Sequence, residues 1–267
     1  MKKKYWISGL ISFSLLMLFL IASCNRRSND KSFNLSFQDV SIYQESAKCQ
    51  DNPKRCATVE INLPHAFSED LALSNKVNQQ ISGSVIKVLN AYGDAGMPLS
   101  NMKEVAENFI AEYTEYSSYS EFLTMPWELK VNGSILHQGE KTISIQLDNW
   151  VYSGGAHPNT MSVILNIDSQ TGDLILLTDI IKDIPSFKSF AEQMYWNAKD
   201  GKNPKNQPAI QLTSKSLFML PDNYAILEDG ILLHYNPHEM STFADGSFSF
   251  LLTFEQLKDI LKNDIVF

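Results

Sequence analysis

The sequence predicts an α+β fold. Runs of alternating apolar and polar residues at 57–63, 127–147 and 161–167 have the period of half-buried strands. Two segments, 69–90 and 101–119, instead place apolar residues at helical spacing. The strands fall into an opening hairpin before the helices and a meander after them, so the two kinds of element are grouped rather than interleaved. With 267 residues, 44% hydrophobic and 19% charged, the chain has an ordinary globular composition and enough length for one large or two small cores.

In chain order, the first residues read as an export signal. Lys2-Lys3-Lys4 is a basic n-region, Ile7 to Ala22 an apolar h-region, and Ser23 a small residue at the cleavage position. A permanent membrane span is the alternative, but the run is shorter than the ~20 residues a spanning helix needs. Leu20-Ile21-Ala22-Ser23-Cys24 resembles the bacterial lipobox, whose cysteine becomes the acylated first residue of a mature lipoprotein. The resemblance implies that Cys24 is a lipid anchor, since each buried methylene contributes ~0.8 kcal/mol and several chains together hold stably. Residues 1–23 are then a signal peptide and 24–34 a polar tether. Removing 1–23 takes three of the 22 basic residues and no acid, leaving 19 basic against 30 acidic side chains, a formal charge of −11. That charge argues against nucleic acid and anionic membrane surfaces as partners and suits a basic protein or plain solubility.

Two cysteines remain, Cys49 and Cys56. In an oxidising compartment they are expected to form a disulfide, closing a loop that contains the turn residues Asp51-Asn52-Pro53. The loop joins an imperfectly alternating run at 35–47 to the clean alternation Ala57–Leu63, which Pro64 ends. Ser68 is expected to cap a helix to about Asn90, with Leu71, Val77, Ile81, Val85 and Val88/Leu89 on one face. Residues 92–98 break it. Ser100 caps a second helix carrying Val105, Phe109 and Ile110. Tyr113, Tyr116, Tyr119 and Phe122 follow at three-residue spacing, readable either as a packed helix face or as a sugar-stacking platform.

Three strands are expected next, at 127–131, 134–137 and 142–147, with Asn132-Gly133 and Gln138-Gly139 as turns. The stretch Trp150-Val151-Tyr152-Ser153-Gly154-Gly155-Ala156-His157-Pro158 then calls for a turn, because paired glycines permit a backbone path closed to other residues. A strand at 161–167 turns at Thr171-Gly172-Asp173 into Leu174–Leu177. Thr178 or Asp179 caps a short helix, Ser186 a longer one to about Lys199, and 201–208 is a loop readable as a connector or a lid. A helix or turn at 214–219, strands at 224–227, 231–235 and 247–252, and a helix behind Thr253 complete the chain. No repeat of ~20–50 residues recurs.

Tyr152-Ser153-Gly154-Gly155-Ala156-His157-Pro158 resembles the Tyr-x-Gly-Gly-Ala-His hallmark of an extracytoplasmic domain-of-unknown-function family. Asp168 to Gly172, Leu177–Ile180, Leu232–Tyr235 with Pro237, and Gly246 stand in the expected order. The preceding segment is similar to the domain that usually precedes it, as in RsiV-type lysozyme-responsive anti-sigma factors and PdaC-type peptidoglycan deacetylases. The likeness implies two packed subdomains with helices against antiparallel sheets: a PdaC-like one at 35–122 (hairpin plus two helices) and an RsiV-like one at 123–267. It implies cell-envelope duty but neither enzymatic nor anti-sigma activity.

The residues themselves add no catalytic signature. A phosphate loop, a Gly-x-Ser-x-Gly elbow and a His-Glu-x-x-His run are all missing. His157, His234 and His238 are the trial set for zinc, but Pro237 and the strand-like Leu232-Leu233 spoil the helical spacing, and no metal or cofactor is assigned. His157 is expected instead to bond the backbone of its own loop. The acids Asp148, Asp168, Asp173, Asp179, Asp183, Glu239 and Asp245 offer no pair that sequence can bring together, so no catalytic residue is named. Tyr152, Gly154, Gly155, His157 and Pro158 are candidates for a structural or ligand-binding role. The expected protein is a lipid-anchored envelope module that binds a basic protein such as lysozyme, or a cell-wall glycan. A glycan-modifying enzyme or an envelope scaffold is the alternative.

Overall fold

A computed structural model describes residues 34–47, 49–92, 100–119, 125–200, 218–240 and 243–262, all within one compact unit, Phe33–Phe267. The export signal, Cys24, nearly all of the tether, the break at 93–98, Phe122, the 201–208 loop and most of the 214–219 element lie outside the described residues. Among the described residues no helix is long and apolar enough to cross a membrane.

Strand β1 (Ser36–Glu45) and strand β2 (Ala57–Phe67) form an antiparallel hairpin. Its loop is closed by a Cys49–Cys56 disulfide with Cα atoms 4.6 Å apart, and Asn52 accepts from the Lys54 amide to turn the chain into Pro53. Closing so short a loop contributes about 2–3 kcal/mol on the chain-entropy account. Pro64 does not end β2, which continues to Phe67. A proline is tolerated there because the neighbouring strand on that side pairs only as far as Asn62.

Two helices follow, α1 (Leu71–Tyr92) and α2 (Met102–Tyr119). The cap of α1 is Asp70 rather than Ser68: its carboxylate accepts from the Ala72 and Leu73 amides at 2.9 and 3.2 Å, while Ser68 accepts from Asp70 one step earlier. The register of the buried stripe moves with it, so Leu73 is buried and Leu71 is exposed, while Val77, Ile81, Val85, Val88 and Leu89 are buried as expected. Likewise Asn101, not Ser100, caps α2, and Ser100 is held by Glu104 from the first turn.

Strands β3 (Trp127–Gln138), β4 (Thr142–Tyr152) and β5 (Asn159–Asp168) complete a five-stranded sheet in the order β1-β2-β3-β4-β5. Asn132-Gly133 is not a turn but the middle of β3. Gly133 stands there because a Cβ would strike the Pro64 ring. The β2–β3 pair is parallel, since the chain returns through two helices to the same end of the sheet. All other pairs are antiparallel. Helices α1 and α2 cover one sheet face, where Ala57, Val59, Ile61, Leu129, Val131, Ile143, Ile145 and Leu147 are buried with Val77, Val85, Val105 and Phe109. Each buried Val, Leu or Ile among them contributes about 1.5–3 kcal/mol.

The second half forms a smaller layer: α3 (Leu177–Ile180), α4 (Ile184–Asp200), and an antiparallel sheet of β6 (Asn223–Ile226), β7 (Gly230–Tyr235) and β8 (Phe248–Thr253), with α5 (Phe254–Leu257) behind. Leu174–Leu177 is reduced to one bridge, Ile167 to Leu174. Asp179 sits in the first turn of α3 and accepts from the Leu176 amide, and Asp183 rather than Ser186 caps α4. Thr253 caps α5 in a reciprocal pair with Gln256. The fold is therefore α+β, with helices packed on two mainly antiparallel sheets. Its two apolar cores part between Ile167 and Ile175, and the five-stranded sheet takes β1 and β2 from before the two helices and β3, β4 and β5 from after them.

Candidate functional site

The glycine stretch is the hairpin between β4 and β5. Gly154 and Gly155 have φ of 96° and 107°, two successive values that side chains with a Cβ adopt only under strain. Space is not the reason, because a Cβ on Gly155 would meet nothing within 4 Å. Two side chains hold the loop. The Tyr152 hydroxyl donates to the Gly155 carbonyl at 3.1 Å, and His157 Nδ1 lies 3.1 Å from the Pro158 carbonyl, which can only accept, so Nδ1 carries the proton there. Tyr152 is half-buried and His157 is exposed.

Aromatic rings flank the loop. Trp127 packs within 5.5–5.8 Å of Tyr116, Tyr113 and Phe109. Tyr113 is buried, whereas Tyr116 and Tyr119 are exposed, so the tyrosine stripe divides between core and surface. On the other sheet face Trp150 and Tyr152 lie 6.2 Å apart, with the Lys130 ammonium 5.0 Å from the Trp150 ring. These neighbours were legible only as alternation in the sequence. What brings them together is the register that sets Lys130 opposite Trp150 and Glu128 opposite Tyr152.

The three histidines do not meet. His157 is in the hairpin, His234 is buried in β7, and His238 follows in a loop with φ of 74°. Among the described residues no three His, Cys, Asp or Glu side chains are grouped to hold a metal. Most of the candidate acids have structural partners: Asp148 accepts from Ser162 and Gln146, Asp168 from the Gln170 and Thr171 amides, Asp173 pairs with Lys76 at 2.7 Å, and Glu239 accepts from the Asn236 amide.

His234 has a titration consequence. Nδ1 lies 2.8 Å from the Ser249 hydroxyl and Nε2 is buried without a partner among the described residues. Burial holds its pKa below the ordinary imidazole value, against the opposing pull of Asp148 and Glu239. With the folded value depressed, the unfolded chain takes up the proton first. The stabilisation from the neutral ring is complete above the ordinary imidazole range of about 6.5 and is lost as pH falls below it. The wild type is expected to lose more melting temperature between pH 8 and pH 5 than His234→Gln. Parallel pH profiles for the two proteins would refute this.

The fold and site define a two-sheet α+β domain whose β4–β5 hairpin, with two successive glycines at positive φ, is tied to itself by Tyr152 and His157. Residues 50–160 match the family model described as Deacetylase PdaC. That match runs through the glycine hairpin. The peptidoglycan-N-acetylmuramic acid deacetylase PdaC of Bacillus subtilis is 26% identical over 174 residues, 62% of this chain but only 37% of that protein, so the chain spans little more than a third of it. A DUF3298 family protein from Pseudomonas aeruginosa superposes with a TM-score of 0.65 at 15% identity, covering 86% of this chain and 96% of that one. A DUF3298 member from Bacteroides fragilis gives 0.63 at 18%, covering 87% and 95%. The chain thus has the fold of the DUF3298 structures, and its residues 50–160 are PdaC-like.

Proposed function

We propose that the chain is a lipid-anchored, non-catalytic binding or sensing module of the bacterial cell envelope. Its ligand on this reading is the cell wall or a basic, lysozyme-type protein. The likeness to a peptidoglycan deacetylase supports envelope duty. The observation that carries the non-catalytic part is the hairpin, where the Tyr152 hydroxyl and His157 Nδ1 are both engaged with their own loop. Cys24 supplies the lipid and holds the domain against the membrane, as the lipobox likeness implies.

The test uses the full-length chain in detergent, mixed separately with insoluble peptidoglycan and with a muramidase. Retention of either, with no soluble wall fragments and no acetate released, supports the reading. Failure to retain both removes it. Cys24→Ala should abolish incorporation of a labelled acyl chain. His157→Ala is expected to cost about 1 kcal/mol of stability, the worth of one exposed hydrogen bond, and to leave retention in place. If wall turnover is seen and His157→Ala abolishes it in a folded protein, the chain is a glycan-modifying enzyme instead.

A further inference from the structure

The two outer edges of the five-stranded sheet differ. Along β5 the Ser162 and Ile164 amides are met by the side chains of Asn236 and Asn223. Along β1, the other end strand, no described element pairs with the outer side. The Ser46 amide donates to the Ala57 carbonyl, which makes Ser46 and Ala57 a hydrogen-bonded pair at the end of the β1–β2 ladder. Hydrogen-bonded and non-hydrogen-bonded pairs alternate along an antiparallel ladder. The register therefore turns the N–H and C=O groups of Phe37, Asp39, Ser41, Tyr43 and Glu45 away from β2. Proline, lysine and bulges are the usual devices that close an edge strand to a partner. β1 has none of them: its ten residues pair with β2 without a register shift and include no proline, lysine or arginine.

Side chains alternate along this edge. Val40 and Ile42 stand opposite Leu63 and Ile61, on the side of α1 and α2, and Val40 is 47% exposed. Asp39, Ser41, Tyr43 and Glu45 are exposed on the other side, where Glu60 of β2 is the partner of Tyr43. Asp39, Glu45 and Glu60 are the acids of the two strands, which contain no lysine or arginine between them. Glu45 and Glu60 accept only from neutral groups, the Tyr43 hydroxyl at 2.9 Å and Asn62 at 3.2 Å, so their charge is not neutralised there. The Lys130 ammonium on β3 is paired with Glu128.

We infer that the outer edge of β1 takes up, as a sixth strand, an extended segment of a partner protein in which basic and apolar residues alternate. This rests on the reading of the chain as an envelope-binding module and names the site and the partner chemistry for it. Main-chain bonds to the five outward residues hold the added strand, and its alternating side chains give selectivity. Its basic residues fall on the side of Asp39 and Glu45, its apolar ones beside Val40 and Ile42. Opposite charges across neighbouring strands are favourable and like charges unfavourable. That decides against a second copy of this chain, because an antiparallel β1–β1 pair sets Asp39, Glu45 and Glu60 of both copies on one face with no cation from either hairpin.

The probe is a labelled peptide alternating lysine and valine, matched in length to the ten residues of β1, added to the full-length chain in detergent and followed by fluorescence anisotropy. It is expected to bind, and a peptide alternating glutamate and valine is not. Amide exchange should slow at least tenfold at Phe37, Asp39, Ser41, Tyr43 and Glu45, leaving the residues between them, already bonded to β2, unchanged. Ser41→Pro removes an outward N–H without touching the β1–β2 ladder and should weaken binding at least tenfold, whereas Ser41→Ala should not. Asp39→Asn and Glu45→Gln should each weaken it about two- to fivefold. Should Ser41→Pro fail to fold, the exchange pattern of the wild type decides. Undiminished binding by folded Ser41→Pro, or exchange that does not slow at the outward amides, overturns the assignment. Outward amides protected in the chain alone, with self-association that Ser41→Pro abolishes, overturn the basic partner in favour of a second copy. Retention of peptidoglycan or a muramidase without affinity for the peptide overturns the edge and leaves the envelope-binding reading standing.

Discussion

Asn166→Leu is expected to cost about 2–4 kcal/mol, although leucine is close in size and the position lies in a strand. Asn166 is 3% exposed and its amide serves two partners on the other sheet, Nδ2 donating to the Tyr224 carbonyl at 2.7 Å and Oδ1 accepting from the Ile226 amide at 2.9 Å. Leucine leaves the Tyr224 carbonyl buried without that donor, a loss of about 1–3 kcal/mol. The Ile226 amide keeps only the Ser144 hydroxyl, at 3.1 Å. Ser144 Oγ is itself 2.7 Å from both Asn166 Oδ1 and the Ile226 carbonyl, and its one proton serves one of them at a time. Ser144→Ala and Asn166→Leu should therefore be non-additive in a double-mutant cycle. Urea unfolding followed by fluorescence reads the effect as a lower midpoint at unchanged slope. Asn132→Leu, exposed on the same sheet face, is the control, and a cost for Asn166→Leu no greater than the control's would remove the argument.

Asn166 belongs to a pattern that sequence periodicity does not reveal. An asparagine amide offers one donor and one acceptor in the arrangement of a peptide bond, and this fold uses several where a strand partner is missing. Asn236 exchanges both bonds with Ser162 on the outer edge of β5, Asn223 accepts from Ile164 one pair further along, and Asn78 of α1 does the same with Ala66 where β2 outruns β3. The outer edge of β5 is thereby closed by side-chain amides, from the start of β6 and the loop after β7, rather than by a backbone ladder. The strands themselves were legible, because alternation reports which face is buried. The hairpin was legible too, because two glycines in succession signal positive φ. What pairs with what was not: the parallel β2–β3 contact depends on where two helices return the chain, and Asn132-Gly133 mimics a turn while serving a tight contact with Pro64. Helix starts slipped by one to three residues for a local reason, since Ser68, Ser100 and Ser186 each have an Asp or Asn within three residues that takes the cap. The candidate site divides the same way. Gly154, Gly155 and His157 showed in the sequence, whereas the pairing of Lys130 with Trp150 and of Glu128 with Tyr152 exists only in the register of β3 and β4.

Tyr195→Ala should have the largest effect on stability, about 4 kcal/mol, the range for removing a buried aromatic ring. Tyr195 is 0% exposed at the centre of the second core, with Trp196, Phe218, Tyr235, Phe248 and Phe250 rings all within 5.0–6.0 Å. Most of these contacts are edge-on or tilted, the arrangement that aligns ring edges with ring faces, so the truncation loses several favourable pairs as well as buried area. Its hydroxyl contributes little by comparison: the bond to the Met240 carbonyl is 3.3 Å long, and Tyr195→Phe should cost about 0.5–1 kcal/mol. The two cores share no residue, so the damage should remain on one side. In Tyr195→Ala, emission from Trp196 is expected to change at lower urea than the far-ultraviolet dichroism of the five-stranded sheet, splitting one transition into two. The asparagine bridges then no longer join two folded layers, so adding Asn166→Leu should shift the second transition little. A single coincident transition in Tyr195→Ala would mean that the two cores unfold as one cooperative unit.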